Sequence, residues 1–169
     1  IGVIAYINMK IDLPNNRTRI VIRGLKRVRV LSYQEEIDRV KVSRFEELQS
    51  KKLLPLEETA YSRSLIKQLE TYIERMPNVS NSILSQVLGV NNIDKVTDIL
   101  TMFVPGSYER KMEYLNEKEP TKRVMMLLDD ISSEISLADL EEEIDEKVQI
   151  GLEREQKEYL LKEKIKVIK

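Results

Sequence analysis

The sequence predicts an α+β chain: a partial β subdomain, then an α-helical bundle, then one long carboxy-terminal helix. Three observations predict it. Residues 1 to about 42 are rich in β-branched side chains that recur with a period near two. From about residue 43 the apolar spacing changes to three and four. From Thr121 to Lys169 there is no proline and only one glycine, Gly151, so little in that stretch interrupts a helix. These shifts set expected boundaries at residues 1–50, 51–120 and 121–169.

In the first part, Val3, Ile4, Tyr6, Ile7, Met9 and Ile11 make the first expected strand, and Asp12-Leu13-Pro14-Asn15-Asn16 is a turn cluster. Thr18 to Arg23 follows as its hairpin partner. Gly24 interrupts the run, so Val28 and Val30, alternating with Arg27 and Arg29, are read as a third strand. Ile37, Val40 and Val42 add a ragged fourth. Because the chain opens on Ile1-Gly2-Val3 in the middle of a strand pattern, the expectation is a piece of something longer, with an open sheet edge.

The helices are read from periodicity and punctuation. Tyr61, Leu65, Leu69, Tyr72 and Ile73 form an apolar stripe that Pro77-Asn78 stops. Ser80 or Asn81 caps a short second helix, closed by Gly89. Asn92 caps a third that carries Val96, Ile99, Leu100 and Phe103 and ends before Pro105-Gly106. A fourth runs from Tyr108 to Glu117. Residues 121–169 as a single helix would reach about 73 Å, more than a small domain spans. Its far end must therefore project away or lie against another chain.

Composition narrows the chemistry. The chain has no cysteine and no histidine, which excludes thiol catalysis, disulfides, Cys/His zinc sites and a Ser-His-Asp triad. Its five glycines are isolated, so no phosphate-binding loop can be assembled and no cofactor is expected in this chain. No apolar run approaches the roughly 20 residues of a membrane span. Charged residues make up 34% of the chain with a net charge of -1, a balance unlike that of a dedicated nucleic-acid binder. The acids between Arg123 and Lys147 lack the loop spacing of a calcium site and read as a solvated helix face. No catalytic or metal-binding residue is assigned.

Two features point to binding. Tyr6 and Met9 on the first strand, with Met102, Phe103, Met125 and Met126 in the helical part, are candidate contacts for unfolded protein, since thioethers and aromatic rings adapt to varied shapes. Apolar residues at helical spacing more often belong to a core. The basic run Arg17, Arg19, Arg23, Lys26, Arg27 and Arg29 offers a rival reading as a nucleic-acid patch, against the ordinary one of a solvated strand face. A third reading makes the long helix an oligomerisation strut.

Two stretches carry a family resemblance. Leu13-Pro14-Asn15-Asn16 leading into Ile20-Val21-Ile22-Arg23-Gly24-Leu25-Lys26-Arg27-Val28 resembles the leucine-proline turn and "VxGLxR" segment of Lon amino-terminal domains. Glu155-Gln156-Lys157-Glu158-Tyr159-Leu160-Leu161-Lys162-Glu163 is similar to the helix that leads toward the Lon ATPase module, with leucine at 160 where the family has tyrosine. The resemblance implies a PUA-like β subdomain, here without its opening strands, then a helical bundle and a long helix ending before the ATPase. It implies a cytoplasmic homohexameric protease that uses ATP, Mg2+ and a serine-lysine dyad, none of them supplied by this chain. The chain's own partners would be unfolded or degron-bearing proteins and other Lon subunits, with no membrane and nucleic acid only secondarily.

Overall fold

The computed structural model describes residues 1–37 and 40–168. Three antiparallel strands, β1 (Gly2–Leu13), β2 (Arg17–Ile37) and β3 (Val40–Glu47), form one sheet in the order β1-β2-β3. Five helices follow: α1 (Pro55–Arg75), α2 (Ser82–Val87), α3 (Ile93–Leu100), α4 (Tyr108–Asn116) and α5 (Pro120–Ile168).

The β1–β2 hairpin turns at Pro14-Asn15-Asn16, where Asn15 and Asn16 adopt φ of 67° and 54°. Asparagine visits this left-handed region more readily than other residues with a Cβ, because its short amide can bond locally. The separate second and third strands expected from the sequence are one strand, β2. Gly24 does not break it. Ile4 pairs with Lys26 and Ala5 with Gly24, so Leu25 is an extra, bulged residue, and a Cβ on Gly24 would come within 3.4 Å of Val3. The bare glycine makes room for a cross-strand neighbour. Of the expected fourth strand, Val40 and Val42 open β3, whereas Ile37 ends β2.

A second irregularity decides a surface. Tyr6 pairs with Arg23 and Met9 with Val21, two residues apart on β2, which leaves Asn8 as the extra residue on β1. The slip restores the same facing to two residues of opposite parity, so Tyr6 and Met9 share one side of the sheet.

The helices start and stop as their end residues dictate. Pro55 opens α1, where a missing N–H costs nothing, and the Glu57 carboxylate accepts the Leu54 N–H at 3.2 Å. Ser80 Oγ accepts the Ser82 N–H at 3.2 Å before α2, and Gly89 follows α2 at φ 82°. Asn92 and Ser107 cap α3 and α4 through the N–H groups of Lys95 and Arg110. The third helix is shorter than expected: it ends at Leu100, and Phe103 sits in a tight turn whose N–H reaches the Leu100 carbonyl at 3.0 Å.

One core joins the helices, built on Leu65, Leu69 and Tyr72 of α1, Val87 of α2, Val96 and Leu100 of α3, and Val124, Leu127 and Ile131 of α5. The long segment is a single helix of 49 residues, about 73 Å at 1.5 Å per residue. Only its beginning packs. Leu128 and Ile135 lie against the core, whereas Leu140, Ile144, Val148 and Leu152 of the same apolar line are exposed. No helix of the described residues is long and apolar enough to cross a membrane.

Candidate functional site

Between the sheet and the helices lies a groove of about 770 Å³. Val3 and Leu25 form its strand wall, and Ile99, Met102 and Leu115 its helical wall. Its position follows from the chain's course: the connector after β3 turns back toward the loop before α5, where the Lys51 N–H donates to the Lys118 carbonyl at 3.2 Å. That link leaves the strands beside α3 and α4 without merging them into the helical core.

Charges flank the apolar walls, and most are already matched. Asp94 and Asp98 are four apart on α3 and so share a face. Arg123, wholly buried in the first turn of α5, donates to Asp98 Oδ1 at 2.9 Å and to Asp94, while Arg27 Nη2 lies 3.7 Å from Asp94 Oδ1. Burial, with Arg27 alongside, pulls the Arg123 guanidinium down to about 9, so it is still a cation at neutral pH. Among the described residues its Nε has no hydrogen-bond partner. Lys111 Nζ donates to the carbonyls of Thr101 and Val104 and secures the turn that presents Met102. Burial lowers the Lys111 ammonium below its ordinary value, with Asp130 opposing.

Behind the groove, α4 is fastened to α5 at Asp130. Arg110 donates to its carboxylate from Nε at 2.9 Å and Nη2 at 2.7 Å, and Tyr114 Oη donates at 2.6 Å. The guanidinium stands 5.4 Å from the centre of the Tyr114 ring. Burial alone would raise the Asp130 carboxyl; the hydrogen bonds from Arg110 and Tyr114 outweigh it and hold it below the usual carboxylate range. Tyr114 is shifted up, first by burial and then by its bond to Asp130.

The residues singled out from the sequence do not form one cluster. Tyr6 and Met9 are 58% and 51% exposed on their shared face of the sheet. Met102, 71% exposed, lines the groove, and Met125, 60% exposed, sits on α5. Phe103 and Met126 are half-buried against the helical core. The basic run is divided: Lys26 pairs with Glu47 at 2.7 Å, Arg29 with Glu46 at 3.0 Å, and Arg27 turns toward the helices, while Arg17, Arg19 and Arg23 remain exposed. Among the described residues no group of acids is placed to hold a metal ion. Asp94 and Asp98 carry no signal of their own in the sequence, and Arg27 reads there only as one base of the run. The usable signal for Arg123 is its place beside Val124 and Leu127, a charge set into an apolar stripe.

The family described as "ATP-dependent protease La (LON) substrate-binding domain" matches residues 1–132. The chain is 32% identical to the Lon protease of Bacillus thuringiensis (strain Al Hakam) over 168 residues, 99% of this chain and 21% of that protein. It is 30% identical to the Lon protease of Brevibacillus choshinensis, again across 99% of this chain and 21% of the relative. It thus spans about a fifth of the length of the curated relatives it matches. The solved N-terminal domain of a Mycobacterium avium complex Lon protease has the same fold, with a TM-score of 0.66 at 20% identity, covering 78% of this chain and 69% of that one.

Proposed function

Because this chain belongs to the family of ATP-dependent protease La (Lon) substrate-binding domains, we propose that it is the non-catalytic part of such a protease that grips client proteins and helps organise its assembly. The observation that carries the reading is the groove, with apolar walls from two separate layers and flanking charges most of which already have partners. An apolar client segment entering it displaces water from Val3, Leu25, Ile99 and Met102 without stranding Arg27 or Asp94. Tyr6, Met9 and Met125 add exposed contacts elsewhere on the surface, whereas Phe103 and Met126 pack on the helical core. Each contact is weak, and several copies in a homohexamer multiply them by avidity.

Clients would be unfolded or degron-bearing proteins, and the other partners further Lon subunits. ATP, Mg2+ and a serine-lysine dyad would act elsewhere in the cytoplasmic parent enzyme, since the isolated glycines here offer no phosphate cradle. The nucleic-acid reading has less support, because three of the six bases in the run are engaged within the protein.

The test is fluorescence anisotropy of a labelled unfolded protein, its native form and single-stranded DNA at low and moderate salt. Preference for the unfolded form at both salts, weakened by Met102→Glu, supports the reading. Binding of DNA alone, lost as salt rises, overturns it.

A further inference from the structure

Among the described residues, the helical core contains none from the strands: its buried members run from Leu65 to Ile131, and its half-buried fringe begins at Leu53. The polar side-chain links from the strands to the rest of the chain converge, among the described residues, on Arg27. Its side chain is only 10% exposed. Nη1 donates to the Glu117 carbonyl at 3.0 Å, and Nη2 donates to Ser50 Oγ at 2.6 Å and faces Asp94. Those partners belong to three different segments: the loop before α5, the connector after β3, and α3. One guanidinium, whose donors radiate in a fixed plane, gathers all three around the groove.

We propose that Arg27 is a positioning residue that sets the opening of the groove. With its fork seated, the strand wall of Val3 and Leu25 is held toward the helical wall of Ile99, Met102 and Leu115. With the fork released, the strands swing on the connector near Lys51 and the groove widens. This inference rests on the groove being the client site. The chemistry of release favours such a motion. When Arg27 leaves, Asp94 keeps Arg123, while Ser50, the Glu117 carbonyl and Arg27 itself return to water. No buried charge is stranded. Arg123 cannot play this part, because its departure would leave the Asp94 and Asp98 carboxylates without their buried cation.

The absence of native cysteine allows a clean measurement. Spin labels on Lys10→Cys in β1 and Glu74→Cys in α1 of the 169-residue chain report the strand-to-helix distance by pulsed electron resonance. The distribution is expected to be narrow with Arg27 present, and broader and longer in Arg27→Gln, with the helical circular dichroism unchanged. Ser50→Ala, which removes one arm and no charge, is expected to broaden it partially, and it carries the test if Arg27→Gln does not fold. Carboxymethylated lactalbumin, an unfolded probe, should narrow the distribution again and bind Arg27→Gln about tenfold more weakly if the closed form falls to about a tenth of the population. An unchanged distance in both variants overturns the clasp. A broadened distance with undiminished probe affinity leaves the clasp standing and refutes the groove as the client site.

Discussion

Arg123 of α5 donates to the Asp98 carboxylate of α3 at 2.9 Å from a side chain that has no contact with solvent. The same guanidinium bonds Asp94, so a single cation fixes two turns of α3 to the start of the long helix. Arg123→Met keeps the apolar stem and removes the charge. Urea unfolding should show a loss of about 3 kcal/mol, the lower part of the range for breaking a buried pair, because Arg27 remains near Asp94 and Asp98 is partly solvated.

Asp130 makes stability depend on acid. Its folded pKa lies below the ordinary carboxylate value, so its stabilisation is fully present above that value and is lost as pH falls through the folded one. Asp130→Asn should destabilise the chain by about 2 kcal/mol at pH 7, as expected for hydrogen bonds to a charged group. The gap between the two proteins should begin to narrow below about pH 4 and keep narrowing as the pH falls further. Thermal melts across pH 3 to 7 check the sign, and a gap that widens in acid contradicts it.

Two variants of α5 separate packed from unpacked helix. Leu127→Ala removes a fully buried side chain and should cost about 2–5 kcal/mol. Replacing Leu140, Ile144 and Val148 together by glutamine should change the stability of the isolated chain by no more than about 0.5 kcal/mol per site, since all three are exposed. Calorimetry of both variants decides, and a large loss from the triple change would mean that the stripe is covered in solution.

The turn between β1 and β2 offers a backbone test. Asn15→Val places a β-branched residue at φ 67° and should cost about 1–2 kcal/mol, whereas Asn15→Gly should be close to neutral. Equal melting temperatures for the two variants would contradict the assigned turn.

The helices were legible because their signals are local: Asn92 before a stripe of Val96 and Leu100, or Pro77 after Tyr72 and Ile73. The strand division was not. A bulge at Leu25 lets β2 run through Gly24, and nothing in a period-two pattern distinguishes a bulge from a break. Met102 was legible as an adaptable side chain. Its groove was not, because Val3 and Ile99 meet only in three dimensions and no periodicity links them. Arg27 read as one base in a solvated run; only folding shows that it turns inward while Lys26 and Arg29 turn to Glu47 and Glu46.

The anchored beginning of α5 and its bare remainder give the molecule leverage. Beyond Ile135 the rod continues for roughly 50 Å at 1.5 Å per residue. A tilt of about 10° where it is gripped would carry its tip through roughly 9 Å over that length. Slight rearrangements among Tyr72, Leu127 and Ile131 are thereby magnified into displacements larger than a side chain, and whatever meets the tip senses the bundle's attitude from a distance.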